Sequence, residues 1–384
     1  MLWDFTVEYS TDDWITPVEI GNVQSIDVRA GRQAQIDNFS SAGLTVTCRY
    51  PNGFASPITA LKPGVAIRVT ALTTTGGYPF DAFYGYITDI SVQYGIPYAG
   101  SVGPADYLHI TAETALAQLA RSSGNGYSMA AGAVTTQVAT ATTQSGVGVG
   151  AHTFSYYSTR NASAATISGS WADWLNTMAF TFGGRIIDAA DVYLIGFQPL
   201  QDYSTNLSLY LSDTGTGVPY DVANFDSLAQ NYFTQVTVDP DAYAAQTVNT
   251  GSAPYRNFSV NTWSSSTTEA TDLANWYLNN YKNPSLAVSE LHLNLNDSRT
   301  NVGVYNLFNA AGSVLSLPGA FPIGVQIKVL FRGQSYVCMI EGGSLSASPD
   351  RASLTLYVSG ADLNAYLVLD NQTFGRLDYN KLGF

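Results

Sequence analysis

Three histidines, His109, His152 and His292, are the only imidazoles in the chain, and none has the spacing of an HExxH or comparable zinc motif. His109 and His292 alternate with apolar residues in strand-like runs, which points them at a polar face; a metal site needs clustered donors. Paired carboxylates are the next chemistry to weigh, because glycoside cleavage uses two. Asp12-Asp13, Asp188, Asp191, Asp239 and Asp241 are the candidates, but each sits in a turn-like setting where Asp bonds its own backbone. Asp239-Pro240-Asp241 also lacks the D-x-[DN]-x-[DN]-G pattern of a dedicated calcium loop. No G-x-S-x-G elbow occurs, and Gly146-Val147-Gly148-Val149-Gly150 lacks the Lys and Ser/Thr of a phosphate-binding loop. The sequence therefore nominates no catalytic, cofactor-binding or metal-binding residue, no cofactor is expected, and the protein reads as a non-enzyme.

Aromatic side chains offer a different chemistry, since rings stack on the apolar faces of saccharides. Of the six tryptophans, Trp171, Trp174 and Trp276 follow helical spacing and read as core. Trp14 and Trp263 lie in polar, loop-like surroundings, where they would serve as interface anchors. Cys48 and Cys338 fall in strand-like runs far apart in sequence and read as buried free thiols.

The elements that must position these residues are mostly strands. Leu44 to Tyr50, Val65 to Thr70 and Phe83 to Ile90 alternate with period two, and Pro51-Asn52-Gly53, Lys62-Pro63-Gly64 and Thr75-Gly76-Gly77 supply the reversals. After Ile110 the pattern changes: Thr111 is expected to cap a helix carrying Leu116, Leu119 and Ala120. Ala130 to Gly150 has little bulk and reads as an exposed, flexible arm or loop insertion. Ser170-Trp171-Ala172-Asp173 resembles a capping box ahead of Trp174, Leu175 and Met178, and strands near Gly184 to Phe197 and Leu207 to Leu211 would complete a middle α+β domain. Further on, Phe233 to Val238 is strand-like. Thr267 or Thr268 is expected to open a helix through Leu273, Trp276, Tyr277 and Tyr281 that stops before Pro284.

Composition bounds what this architecture meets. The chain has 384 residues, 16 basic against 29 acidic, and a net charge of −13, so no overall basic surface exists to grip nucleic-acid phosphates. Only 12% of residues are charged while 25 are Tyr and 34 Gly, a balance that suits large permanent interfaces. Met1-Leu2-Trp3-Asp4-Phe5 has neither the basic nor the apolar region of a secretory signal, and no run of 18 apolar residues marks a membrane helix, so no membrane insertion is expected.

One stretch occurs twice. Gly64-Val65-Ala66-Ile67-Arg68-Val69 has a near copy in Gly324-Val325-Gln326-Ile327-Lys328-Val329, each preceded by a proline. Each copy leads to an aromatic-led strand ending in Ile and an acidic turn, Phe83 to Asp89 and Tyr336 to Glu341. Tyr107 to Ala112 and Ser353 to Val358 then close the units, and Leu44 to Tyr50 has its counterpart in Leu291 to Leu295. Two similar β-units in one chain are predicted.

With these features the chain resembles the minor tail proteins of siphophages, the tail-tip hub family with tail-tube-like barrels. The resemblance runs from Ser25 to Arg32 through Ile36-Asp37-Asn38-Phe39, Leu61-Lys62-Pro63-Gly64, Tyr84 to Ile87 and Ile110 to Ala120. It resumes at Ala274 to Leu278 with Asn283-Pro284 and at Tyr366 to Asp378, and is weakest from Ala130 to Tyr210. It implies a mainly β fold in which two antiparallel tail-tube-like β-barrels, over 1–110 and 217–360, flank an inserted α+β domain over 111–216 and precede a docking extension over 361–384. It further implies a homotrimeric, pseudo-sixfold ring at the distal end of a virion tail, around a channel for passing DNA that is not specifically bound. Expected partners are the tail tube or distal tail protein, the tape-measure protein, and tip or fibre proteins. With a charge of −13, Asp and Glu are expected to line such a channel and weaken sticking of the duplex. The competing expectation is a carbohydrate-binding β-sandwich recognising host surface glycan.

Overall fold

The computed structural model describes residues 3–12, 14–34, 36–51, 60–73, 79–95, 105–147, 150–153, 160–182, 184–189, 194–198, 209–226, 232–251, 255–282, 287–314 and 321–360. The N-terminal part is built of β1 (Trp3–Ser10), β2 (Val18–Glu19), β3 (Val23–Gly31), β4 (Ser40–Tyr50), β5 (Ala66–Thr73), β6 (Phe80–Gln93) and β7 (Asp106–Glu113). Period two in the sequence becomes alternate burial: Leu44, Val46 and Cys48 of β4 are buried beside Leu108, Ile110 and Ala112 of β7. Burial pushes the Cys48 thiol up to a pKa of about 12; Cys338 is buried as well, and neither cysteine is in a disulfide.

A middle section follows, with α1 (Ala115–Arg121), β8 (Ser128–Met129), β9 (Gly132–Ala133), α2 (Val134–Gln144), β10 (Gly150–Thr153), β11 (Asn161–Ala162), β12 (Ala165–Thr166), α3 (Trp171–Phe182), β13 (Arg185–Ala189) and β14 (Leu194–Gln198). The helix expected from Thr111 starts only after β7 has run on to Glu113, with Thr114 at its N-cap. The expected arm is corrected: α2 occupies it, burying Val134, Val138 and Ala141 at helical spacing, and Gln137 Nε2 donates to the carbonyls of Ala130 (2.8 Å) and Ser163 (3.2 Å). Small residues there allow close packing, which low bulk alone does not reveal. The capping box holds as read, with Ser170 Oγ donating to Asp173 Oδ2 (2.7 Å) and Asp173 N donating back to Ser170 Oγ (3.1 Å).

The C-terminal part comprises β15 (Leu209–Ser212), β16 (Val222–Asp226), β17 (Gln235–Pro240), β18 (Gln246–Asn249), β19 (Asn257–Thr262), α4 (Thr267–Tyr281), β20 (Ala287–Asn294), α5 (Asn301–Val314), β21 (Gln326–Phe331), β22 (Gln334–Ser348) and β23 (Arg351–Gly360). Helix α4 is capped one residue earlier than expected, Ser266 Oγ accepting from Glu269 N (3.1 Å). Two expectations shift here. Strand β15 pairs in parallel with β21, so it belongs to the large sheet and not to the middle domain. The strand read at Phe233 to Val238 is β17 of a separate three-stranded sheet, order β18-β17-β19, against which α4 packs with its own small core around Val236, Val238, Ala274 and Tyr277. Helix α5 had no sequence forecast.

The large sheet runs β16-β20-β23-β22-β3-β4-β7-β6-β5-β1-β2, with β21 bridging β15 and β22. The repeat is visible in its pairing: β5-β6-β7-β4-β3 in the first half, β21-β22-β23-β20-β16 in the second, all antiparallel. Both halves carry an irregularity at the same place, between Ile87 and Asp89 of β6 and between Ile340 and Gly342 of β22. Even the turn bonds match: Gly64 N and Gly324 N donate to the carbonyls of Ile87 (2.8 Å) and Ile340 (2.7 Å), while Ile87 N and Ile340 N donate to Val65 O (2.9 Å) and Val325 O (3.0 Å). The two barrels expected in one chain are not closed among the described residues. Instead β22 changes partner along its length, pairing with β21 over Gln334 to Met339 and with β3 over Gly342 to Ala347, so the halves share one open sheet. The expected extension over 361–384 lies outside the described residues.

Candidate functional site

One face of the large sheet is packed and the other is solvated. Registers carry the solvated face across both halves, as in the row Asn294, Ser353, Ser346, Asp27, Thr45, Thr111 and Asp89. Neighbouring rows add Thr355, Ser344 and Arg29, then Ser25, Thr47 and Ser91. Hydroxyls dominate. The acids Asp27, Asp89, Glu113 and Glu290 only just outnumber Arg29, Arg49 and Arg351, a thinner acidic bias than a net charge of −13 suggests.

His109 and His292 lie half-buried on this face, as their alternation foretold. His109 Nδ1 lies 3.2 Å from Thr47 Oγ1 across β7 and β4, and His292 Nδ1 lies 3.1 Å from Thr355 Oγ1 across β20 and β23. Through the repeat these are the same position with the two residue types exchanged between strands. His292 Nε2 also approaches Glu290 Oε1 at 3.0 Å. Among the described residues no three His, Cys, Asp or Glu side chains stand together as metal donors.

The carboxylate candidates divide: Asp12 and Asp241 lie in a bend and a turn as expected, but Asp188 falls within β13, paired with Ile195, and Asp239 within β17, paired with Asn261, so neither is in the turn read from the sequence. Asp12 accepts from Ser10 Oγ (3.0 Å), Thr16 N (3.2 Å) and Thr16 Oγ1, and the Thr16 hydroxyl bond leads the causes that lower its pKa. Asp239 and Asp241 are exposed at the end of β17. Asp13 and Asp191 lie outside the described residues, as do the side chains of Asp188 and His152. The two candidate anchors are engaged within the chain: Trp14 Nε1 donates to Tyr84 Oη (2.6 Å) under the guanidinium of Arg68 (4.6 Å), and Trp263 packs on the main core with Nε1 3.4 Å from Trp174 O.

Sequence reasoning missed a buried charge cluster where β3, β13 and β22 meet. Glu341, wholly buried at the irregularity of β22, accepts from Arg32 Nε (3.0 Å) and Nη2 (2.9 Å), Arg185 Nη2 (2.6 Å) and Ser359 Oγ (2.6 Å). Arg32 also donates to Asp37 O (3.2 Å) and lies over the Phe39 ring at 4.1 Å. Burial acts to raise the Glu341 pKa, but Arg185 and then Arg32 outweigh it and hold the carboxyl at about 2. Burial pulls the Arg32 pKa down, against the attraction of Glu341. The cluster ties the first half, the middle section and the second half together. Its only sequence signal was an acid directly after the apolar run Val337 to Ile340.

This doubled sheet with its inserted α+β section is the fold of phage tail proteins. It matches the 43 kDa tail protein of prophage MuSo2 from Shewanella oneidensis with TM-score 0.64 at 13% identity, over 94% of this chain and 99% of that one. A tail protein from Neisseria meningitidis matches with TM-score 0.64 at 12% identity, over 93% and 96% of the two chains. The prophage tail protein gp18 of Listeria monocytogenes matches with TM-score 0.50 at 9% identity, over 92% and 94%. No family model and no curated protein matches the sequence.

Proposed function

We propose that the chain is a structural, non-enzymatic subunit of a phage tail tip, three copies of which form a pseudo-sixfold collar around the DNA channel. The observation that carries this reading is the duplication: the same five-strand order, irregularity and turn bonds occur twice in one sheet. Two such units per chain make six around a threefold axis, which lets three subunits match a sixfold tube. The hydroxyl-rich sheet face lines the channel in this reading. With few cations to hold phosphates and a small acidic surplus, it lets duplex slide. The tail tube or distal tail protein and the tape-measure protein lie on one side of the collar, and tip or fibre proteins on the other. The glycan-binding alternative gains no support from Trp14 and Trp263, the tryptophans read as lying outside the core, because both indole N–H groups are engaged within the chain.

The test is mass measurement of the native protein together with imaging of the purified particle. Three chains around a central hole wide enough for duplex are expected. A particle without an axial opening removes the reading.

A further inference from the structure

We propose that the distal half of β6, Asp89 to Gln93, pairs antiparallel with β16 of a second copy of this chain, as β22 pairs with β3 inside one chain. The proposal rests on the collar reading and names the seam between its subunits. The matched irregularities make Ile87, Asp89, Val92 and Gln93 of β6 the counterparts of Ile340, Gly342, Leu345 and Ser346 of β22. Following the pairings across each half makes Asn224 of β16 the counterpart of Asp27 of β3.

Strand β22 uses one edge for β23 and the other for β21 and then β3. Strand β6 uses one edge for β7 and the other for β5. Beyond β5, where β22 meets β3, β6 has no strand partner among the described residues; neither has β16 on the edge away from β20. Burial tells the same story. At the internal seam Leu345 and Val28 face each other at 1% exposure each, whereas Val92 and Phe225 at the open edges are only half-buried. Unpaired edges of this kind are templates for another strand.

The internal seam also sets the register. Ser346 faces Asp27 and donates to it at 2.7 Å on the solvated side. The corresponding pair across the subunit seam is Gln93 facing Asn224, both with polar amides at the open edges, and each amide can donate to the other. Antiparallel partners have Cα atoms about 4.5–5.5 Å apart, within disulfide range.

The full-length chain carrying both Gln93→Cys and Asn224→Cys is therefore expected to shift under oxidation from one chain to a covalent trimer on a non-reducing gel. Neither single variant forms it, and Ser91→Cys with Asn224→Cys, two residues out of register, forms it far less. Buried Cys48 and Cys338 do not compete. Native mass spectrometry of the unmodified protein separates the two ways of failing. A trimer whose double variant does not cross-link overturns the seam and leaves the collar standing; a chain that stays monomeric overturns both.

Discussion

Replacing Glu341 by Gln keeps the shape of the side chain and removes the negative charge between Arg32 and Arg185. The Arg32 and Arg185 side chains are 4% and 1% exposed, so water cannot take over the role of the carboxylate. Removing one partner from a buried ion pair costs about 3–5 kcal/mol. Here two guanidinium groups are left facing each other, which puts the loss near the upper end, at about 5 kcal/mol. Urea unfolding followed by tryptophan fluorescence is a suitable assay, because Trp174 is buried in the adjoining core. With a slope of about 3 kcal/mol per molar, the midpoint should fall by about 1.7 M. Replacing Glu341, Arg32 and Arg185 together by Met should recover most of that loss, since apolar packing often substitutes for a buried ionic triad. An E341Q midpoint within about 0.3 M of the parent would show that the cluster does not hold the seam together.

The same group makes stability depend on pH: its folded pKa of about 2 lies below the ordinary 4.5, so its contribution is complete above about 4.5 and is lost as pH falls towards 2. An acid melt should show about 3 kcal/mol disappearing in that window, and an E341Q chain should lack this component. Gly31→Ala should cost more than about 2 kcal/mol in thermal unfolding, because φ is +78° and a Cβ would overlap the Glu341 carbonyl; an unchanged melting temperature would count against the tight β3–β22 contact. Ser170→Ala should lower stability by about 1 kcal/mol by removing the cap of α3, measured by the same denaturation. Cys48 should resist alkylation at pH 8 until the chain unfolds, and rapid labelling of the native protein would contradict its burial.

The repeat was legible because each half must bury one face of the same strands, so Ile67, Val69, Ile327 and Val329 recur with period two after a turn glycine. Local patterns also gave the capping box at Ser170 and the stop of α4 before Pro284. Pairing between strands distant in sequence left no local mark. Nothing in Ser344 to Ala347 announces β3 as a partner, and nothing in Leu209 to Ser212 announces β21. Helix α2 was hidden by composition: Val134, Val138 and Ala141 have helical spacing, but their neighbours are small and polar. Glu341, read from the sequence as an acidic turn, is instead buried within β22; its two arginines come from positions 309 and 156 residues away, which no local pattern shows.

In the collar proposed above, the shared strand β22 would divide the seams between the six units into two kinds. Three would lie within a chain, where covalent continuity, the β22–β3 pairing and the Glu341 cluster join neighbouring units. The other three would be the β6–β16 seams between chains, which lack that covalent link. A collar that has to dilate for passing cargo would therefore part like a three-leaved iris, with each leaf moving as a rigid third of the circle.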